Sequence, residues 1–107
     1  TIKEYETEDG RSPFGEWAAK LPSQHLAKVQ EAMRRMELGN LGEVKSVGKG
    51  VKERKLKNPA LRVYFGLDGD QIVVLLTGGD KRRQSRDIER AQQLWADYKA
   101  RKRSGAE

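Results

Sequence analysis

Residues 61–79, LRVYFGLDGDQIVVLLTGG, contain two apolar runs separated by the dipeptide Asp68-Gly69. Asp-Gly between two such runs is a strong signal for a β-hairpin, and the runs are rich in the β-branched and aromatic residues that strands favour. Pairing Leu67 with Asp70 across the turn predicts one apolar face shared by the two strands. The residue pairs on this face are Leu61 with Leu76, Val63 with Val74, and Phe65 with Ile72. The second run is apolar on both sides of the strand, so its other face must also be covered.

The segments on either side of this hairpin extend the predicted sheet. Residues 51–57, VKERKLK, predict a strand that a turn at Asn58-Pro59 joins to the hairpin. Residues 1–10 begin with β-prone residues and end at Asp9-Gly10, which indicates a short edge strand and a turn. The glycine-rich residues 39–50, GNLGEVKSVGKG, are expected to be irregular.

Three segments have the apolar spacing of amphipathic helices. Ser12-Pro13 supplies the cap and the first position of a helix that ends at Pro22. A second helix is capped by Ser23 and ends near Gly39-Asn40, and the two are predicted to form an antiparallel helical hairpin. A third helix from Asp87 onward is expected to cover the second face of the β-hairpin. Its apolar positions are Ile88, Ala91, Leu94, Trp95 and Tyr98.

The predicted order of elements is β-α-α-β-β-β-α. This order indicates an α+β fold with a small antiparallel β-sheet, an N-terminal helical hairpin and a C-terminal helix. At 107 residues the chain is predicted to form a single domain, residues 1–107, in which residues 101–107 are a frayed polar tail.

Charge is distributed unevenly along the chain. The net charge is +6, from 22 Lys and Arg against 16 Asp and Glu, and acidic residues gather in residues 1–16. Basic residues gather in residues 45–57, 81–86 and 99–103. Such clustering favours a polyanionic partner, with nucleic acid the first interpretation, an acidic protein the second and a merely solvated face the third.

The composition excludes several classes of catalyst. Cysteine is absent, which excludes disulfides, thiolate nucleophiles and cysteine-ligated zinc and fits a reducing cytoplasm. A histidine-pair ribonuclease is excluded because His25 is the only histidine, and no phosphate-loop or dinucleotide motif is present. Convergent carboxylates for a metal nuclease are lacking, and no apolar run reaches membrane-spanning length. Metal-free phosphodiester chemistry by lysine and arginine remains, and no metal or cofactor is predicted.

Strand alternation predicts a cationic pocket for a phosphate. If Leu56 points to the core, Lys55 shares the open face of the sheet with Arg62 on the neighbouring strand. The turn after the last strand then presents Lys81 and Arg82. A cluster of this kind would stabilise the charge that develops on a phosphorane, and a lysine crowded by cations would deprotonate a 2′-hydroxyl more readily.

Two further points concern the surroundings of this pocket. Gly78 and Gly79 are expected to let backbone amides approach the phosphate closely. Arg62 also has a structural interpretation, in which it pairs with Glu53 or lies across Tyr64. The sequence leaves both interpretations of Arg62 open.

Residues 52–65, KERKLKNPALRVYF, and residues 72–99, IVVLLTGGDKRRQSRDIERAQQLWADYK, resemble the RelE/ParE toxin superfamily. The resemblance is closest to its HigB-like addiction module killer proteins and covers roughly residues 12–100. It implies a small antiparallel sheet with a helical hairpin on one side. RelE-type members enter the ribosomal A site and cut mRNA without a metal, so the resemblance also implies a type II toxin–antitoxin toxin.

The family's functional positions match residues of this chain. The resemblance implies that Lys55 is the base or the activator of the 2′-hydroxyl, that Arg62 and Arg82 clamp the phosphate, and that Lys81 is a further phosphate contact. The expected RNA-binding residues are Lys52, Arg54, Lys57, Tyr64, Arg83 and Gln84.

At two positions the chain departs from the family's pattern. Glu53 stands where RelE-type proteins have a second catalytic lysine, and Ile88 stands where they have a tyrosine. Tyr64, Gln84 and Asp87 are the alternatives for the general acid or base.

The leading hypothesis is therefore a ribosome-dependent mRNA endoribonuclease, or mRNA interferase, that inhibits translation and arrests growth in the cytoplasm. Its expected partners are the ribosome, mRNA and a cognate antitoxin, which the HigB-like resemblance implies is a helix-turn-helix DNA-binding protein; no membrane is involved. The alternatives are a ParE-like inhibitor of DNA gyrase and a non-catalytic RNA-binding module. Arg62→Ala and Arg82→Ala are both expected to relieve toxicity and to leave the fold intact.

Overall fold

The computed structural model describes residues 1–105, which form five strands, three α-helices and a 3-10 helix. The strands are β1 (Ile2–Glu4), β2 (Val44–Ser46), β3 (Val51–Leu56), β4 (Leu61–Asp68) and β5 (Ile72–Asp80). The helices are α1 (Pro13–Ala19), α2 (Ser23–Glu37) and α3 (Gln84–Arg103), and the 3-10 helix (Lys81–Arg83) joins β5 to α3.

The predicted α+β fold is confirmed, and the strands form a single sheet in the order β1-β5-β4-β3-β2. The sheet is mixed rather than antiparallel throughout, because β1 runs parallel to β5. The backbone N–H of Val73 donates to the carbonyl of Thr1, and that of Tyr5 donates to the carbonyl of Leu75. The sequence indicated an edge strand at residues 1–10 but contained no signal for its direction.

The segment expected to be irregular contains a strand. Within residues 39–50, β2 pairs with β3 in a hairpin, and Lys45 lies opposite Glu53. The connecting residues Gly48, Lys49 and Gly50 all have positive φ, at 96°, 55° and 84°. Glycine adopts this backbone conformation without the steric cost that a side chain brings, so the glycines mark a tight turn and not an irregular loop.

The observed helix ends agree in part with those predicted from the sequence. Ser12 caps α1 as predicted, accepting a hydrogen bond from the backbone N–H of Gly15. The predicted cap of α2 was wrong: Ser23 is the first residue of the helix, and no side chain among residues 1–105 caps its N-terminus. The helix α3 begins at Gln84 rather than at Asp87.

The C-terminal end of α3 also differs from the prediction. It continues to Arg103, so residues 101–103 of the expected frayed tail are helical, and residues 104–105 form a turn. Residues 106–107 lie outside the described part of the chain.

The predicted register of the central hairpin was wrong. Leu67 pairs with Val73 instead of Asp70, so residues 69–71 form the connection. Because side chains alternate between faces, a slip of three residues turns the whole of β5 over. Val73 and Leu75, rather than Val74 and Leu76, therefore share a face with Leu61, Val63 and Phe65. A bulge between Tyr64 and Phe65 shifts the register once more.

Both faces of the β4–β5 hairpin are covered, as the apolar sequence of β5 required. On one face α1 and α2 pack against the sheet through a core of Phe14, Val29, Met36, Val63, Phe65 and Leu75. On the other face α3 forms a second core with Val51, Tyr64, Val74, Leu76, Trp95 and Tyr98.

A tryptophan packs against a glycine in each core. A β-carbon on Gly66 of β4 would lie 2.5 Å from the ring of Trp95, and one on Gly78 of β5 would lie 2.3 Å from the ring of Trp17. Neither glycine has a positive φ, so the requirement at these positions is space for the indole and not backbone freedom.

The C-terminal half of α3 is tied to the end of the β4–β5 hairpin. The hydroxyl of Tyr98 donates to Asp68 at 2.6 Å, and the ammonium of Lys102 also bonds to Asp68. The hydrogen bonds from Lys102 and then from Tyr98 hold the pKa of Asp68 below its usual range. Nearby, the hydroxyl of Tyr5 donates to Asp97 at 2.6 Å.

Within residues 1–105, no helix is both long enough and apolar enough to cross a bilayer.

We expect Gly66→Ala to lower the free energy of unfolding by about 1–3 kcal/mol, because the added methyl group overlaps the ring of Trp95. The measurement is urea unfolding of the two single variants Gly66→Ala and Trp95→Leu and of the double variant. The cost of Gly66→Ala should shrink when Trp95 is already leucine. An equal cost in both backgrounds would show that the indole does not exclude the methyl group.

Asp68→Asn should lower the free energy of unfolding by about 1 kcal/mol at pH 7, because it removes the ionised acceptor of Tyr98 and Lys102. The pKa of Asp68 is depressed in the fold, so its stabilisation is full above the unfolded pKa of about 4 and is lost as the pH falls through the folded pKa. Denaturant unfolding at pH 7, 4 and 2.5 tests this, with Asp70→Asn in the same turn as the control. A difference between wild type and Asp68→Asn that persists at pH 2.5 would contradict the assignment.

Candidate functional site

Strands β3 and β4 bring two of the predicted catalytic residues together. Lys55 and Arg62 are direct cross-strand partners, as the alternation of side chains predicted. Both line a cavity of about 130 Å³, which we call the Arg62 cavity. It is too small for a nucleotide-sized ligand and suits a group of a few atoms. Its other lining residues are Glu43, Val44, Lys45 and Glu53.

Arg62 is a buried cation with a buried counter-ion. Arg62 is 7% exposed and Glu53 is 2% exposed, and Arg62 Nε lies 3.5 Å from Glu53 Oε2. The same carboxylate accepts a hydrogen bond from Gln84 at 2.9 Å, and Lys45 Nζ lies 3.7 Å from its other oxygen. Of the interpretations that the sequence left open, pairing of Arg62 with Glu53 is therefore present.

The guanidinium of Arg62 retains unused donors. Its Nε approaches Glu53 without hydrogen-bond geometry, and among residues 1–105 neither Nε nor Nη1 has a hydrogen-bond partner. A buried donor without a partner is costly, and an oxyanion is the strongest acceptor for a guanidinium. The Arg62 cavity thus combines a fixed guanidinium with the ammonium of Lys55, which suits a phosphate oxygen.

Tyr64 does not have the surface role expected for it. Its side chain is 0% exposed and belongs to the core beneath α3, so it cannot contact RNA in this conformation. Burial, followed by the charge of Glu53, raises the pKa of Tyr64. Its hydroxyl is buried without a hydrogen-bond partner among residues 1–105. A buried phenol with a raised pKa is a poor general base at neutral pH.

The basic residues after β5 lie around a different cavity. Arg82 and Arg83 line a cavity of about 440 Å³ that also contacts Trp17 and Arg90. The side chain of Arg82 is 88% exposed and pairs with Asp80 at 3.0 Å. The structure therefore joins Lys55 to Arg62 but does not bring Arg82 into the same cavity. Lys81 is exposed in the 3-10 helix and lines neither cavity.

Gly78 and Gly79 are required by side-chain packing and not by phosphate binding. Gly78 and Gly79 lie within β5 and not in a turn. A β-carbon on Gly78 would meet Trp17, and one on Gly79 would lie 2.0 Å from a carboxylate oxygen of Asp87. Both positions are glycine because helices α1 and α3 place side chains directly on them.

The remaining expected RNA contacts divide between the two faces of the sheet. Lys52 and Arg54 alternate with Lys55 and point to the face that α2 covers, and Lys57 follows just after β3. Gln84 lies on the α3 side and is occupied by its hydrogen bond to Glu53. Arg54 and Lys57 line a groove between α2 and β3.

The positions that depart from the RelE pattern have structural roles here. Glu53 is the counter-ion of Arg62, and Ile88 packs against the core under α3. Asp87, one of the alternative acids or bases, lies over Gly79 and lines the cavity of Trp17. Burial and then the charge of Asp80 raise the pKa of Asp87. It is not a lining residue of the Arg62 cavity.

Sequence reasoning missed the contribution of β2. Lys45 and Glu43 line the Arg62 cavity because β2 pairs with β3 at this end of the sheet. The sequence does contain a signal for this strand. Val47 and Val51 stand on either side of Gly-Lys-Gly, and this pattern is typical of a tight hairpin. Among residues 1–105 no group of three or more His, Cys, Asp and Glu side chains is arranged to hold a metal ion.

Comparison with known proteins assigns the chain to a family. Residues 16–96 match the family described as "Phage derived protein Gp49-like (DUF891)". A similar protein, described as uncharacterized, occurs in Haemophilus influenzae; it is 36% identical over 83 residues, which cover 76% of this chain and 84% of the relative. The chain therefore belongs to the Gp49-like phage-derived family, a toxin-like addiction-module family. This confirms the toxin-like character expected from the sequence, while membership of RelE/ParE remains a prediction.

The burial of Arg62 changes the result expected for one of the two arginine variants. Arg62→Ala should lower the free energy of unfolding by about 3 kcal/mol, because it leaves the carboxylate of Glu53 buried without its nearest cation. Arg82→Ala should leave stability unchanged, since Arg82 is exposed. Urea unfolding of both variants tests this. Addition of Glu53→Gln to Arg62→Ala should restore part of the loss, and a double variant as unstable as the sum of its parts would contradict the pairing.

Proposed function

We propose that this protein is the toxin of a type II toxin–antitoxin system and that it cuts mRNA on the ribosome without a metal ion. The observation that carries the proposal is the pairing of Lys55 with Arg62 across β3 and β4: both residues line one small cavity, and two nitrogens of the guanidinium are buried without a hydrogen-bond partner among residues 1–105. Membership of a toxin-like phage-derived family supports the toxin part of the proposal.

In the proposed reaction the 2′-hydroxyl of a ribose attacks the adjacent phosphorus. The bond from O2′ to phosphorus forms, the bond from phosphorus to O5′ breaks, and the products are a 2′,3′-cyclic phosphate and a 5′-hydroxyl. The guanidinium of Arg62 donates to a non-bridging oxygen and stabilises the charge of the phosphorane. Arg82 and Lys81 lie outside the Arg62 cavity, so in this proposal they contact phosphates elsewhere on the strand and not the reacting one.

Lys55 has two possible parts in this step. As a neutral amine it removes the proton from the 2′-hydroxyl, and that proton later reaches the leaving O5′ through solvent or through the same amine. As an ammonium it adds to the charge that stabilises the phosphorane, and the proton of the 2′-hydroxyl then goes to hydroxide from solvent. The two parts predict different pH–rate profiles: once the amine is deprotonated, the rate reaches a plateau if Lys55 is the base and falls if Lys55 acts as the ammonium.

A second candidate function is a non-catalytic RNA-binding protein. It is favoured by Glu53 and Ile88, which fill two catalytic positions of the RelE pattern with a buried counter-ion and a core residue. Such a protein would keep the phosphate site and lack the proton transfer.

The proposed partners follow from the proposed activity. A toxin of this type acts in the cytoplasm, on the ribosome and its message, and requires a tightly bound antitoxin. By resemblance to HigB-like systems, the antitoxin is a helix-turn-helix DNA-binding protein.

We expect that induction of the chain in growing bacteria produces new 5′ ends within coding regions, in phase with codons. Lys55→Ala should reduce these cuts at least about 100-fold, which is the usual share of a general acid or base. Arg103→Ala, which removes a charge from the last residue of α3, is the control and should cut like the wild type. Mapping of 5′ ends by primer extension is the measurement.

The other outcomes decide between the alternatives. Intact messages together with loss of gyrase supercoiling would replace the nuclease by a gyrase inhibitor. Intact messages with salt-sensitive binding to ribosomes would leave the non-catalytic RNA-binding protein. Cuts that persist in Lys55→Ala would show that the Arg62 cavity is not the catalytic centre.

A further inference from the structure

A groove of about 550 Å³ lies between α2 and β3, on the opposite side of the sheet from α3. We call it the Arg54 groove. Its lining includes five cations, two carboxylates and an apolar floor of Ala27, Ala32 and Leu56. The cations are Lys28, Arg35, Arg54, Lys55 and Lys57. Its volume is within the range of ligand-binding clefts.

The carboxylates do not neutralise the centre of this groove. Glu31 is engaged by Arg34 and Arg35 on the helix surface, and Glu43 lies 3.7 Å from Lys57 at the rim. Arg54 has no carboxylate within ion-pair distance among residues 1–105. Its Nη1 donates to the carbonyl of Lys55 at 2.7 Å.

The guanidinium of Arg54 also has an unused donor. Its Nε is buried without a hydrogen-bond partner among residues 1–105. Arg35 and Arg54 line the same groove. Burial and then the like charge of Arg35 lower the pKa of Arg54. Like charges held in this way favour an anion between or beside them.

The Arg54 groove continues from the Arg62 cavity. Lys55 and Glu43 line both, so the two meet at the end of β3. An anion at the Arg62 cavity that extends past Lys55 would therefore enter a second set of cations. A single phosphate would occupy only one of these places, whereas a polyanion chain can occupy both.

The lining of the groove indicates which part of a polynucleotide it fits. Within residues 1–105 no aromatic residue lines it, so this part of the chain offers no surface there on which bases stack. The arginines and lysines suit phosphates, and the apolar floor suits riboses. Neither phosphate nor ribose carries sequence information.

We infer that the Arg54 groove binds the sugar–phosphate backbone of single-stranded RNA that flanks the phosphate held at Arg62. The inference rests on the proposed function for the identity of the strand, and it adds a second binding site on the other face of the sheet. It also explains why the basic block at residues 45–57 continues past the strand to Lys57. Because this contact is with backbone alone, it contributes affinity that depends on RNA length and not on sequence.

The experiment compares two lengths of RNA that cannot be cut. Fluorescein-labelled 2′-O-methyl oligoribonucleotides of 3 and 12 nucleotides are titrated with the full chain, and affinity is followed by anisotropy at several salt concentrations. Arg35→Ala and Lys57→Ala remove exposed cations of the groove, and Arg103→Ala removes one at the far end of α3.

For the 12-mer we expect Arg35→Ala and Lys57→Ala each to weaken binding roughly fivefold and to reduce the salt slope by about 0.7. Neither should alter the affinity for the 3-mer. Lys55→Ala should weaken both lengths, because Lys55 lines both sites. Arg103→Ala should alter neither length.

Three results would overturn the inference: no binding of the 12-mer at low salt, groove variants that behave like Arg103→Ala, or equal losses for both lengths. Poly-L-glutamate is titrated in parallel. If it binds through Arg35 while the 12-mer does not, the groove takes an acidic protein and not RNA. If the groove variants weaken binding of the 12-mer alone and the protein cuts no message in cells, this inference is supported and the nuclease proposal is rejected. The two proposals can therefore fail separately.

Discussion

The central constraint of the structure is that the β4–β5 hairpin is buried on both faces. The helical hairpin covers one face and α3 covers the other, and in each core an indole lies directly on a glycine of the hairpin. Charged residues are therefore excluded from the middle of the β4–β5 hairpin, residues 63–67 and 72–79. They lie at its ends, and at the end where β4 begins Arg62 and Lys55 lie opposite one another. The position of the candidate site follows from the packing of the two cores.

The same constraint explains which features of the fold were predictable. Apolar periodicity identified the helices and the strands β3, β4 and β5. An element that buries one face has apolar residues at the repeat of that element, so the pattern can be recognised in the sequence. It could not fix the register of β5, since a strand that is apolar on both sides satisfies either face after a slip. The bulge at Tyr64 and Phe65 and the turn of residues 69–71 decide the register, and neither has a signal in the apolar period.

The candidate site was predictable to a similar extent. Alternation along a strand with a known neighbour was sufficient to pair Lys55 with Arg62. It was not sufficient for Arg82, because the direction in which the chain leaves β5 depends on the 3-10 helix and on the hydrogen bonds of Asp80. Tyr64 shares a face of β4 with Arg62. The alternation of side chains predicts that face, but it does not show that α3 covers the face at Tyr64.

The buried carboxylate of Glu53 determines how strongly the Arg62 cavity can hold an anion. Three cations and two carboxylates line the cavity, so its excess of positive charge is small. Glu53 fixes the guanidinium from the Nε side, while Gln84 and Lys45 engage the carboxylate. The anion must then approach the guanidinium from the cavity, against the repulsion of a nearby carboxylate. A site built in this way gains geometric precision at the expense of affinity, and the missing affinity has to come from cations outside it. The Arg54 groove, joined to the cavity through Lys55, is placed to supply it.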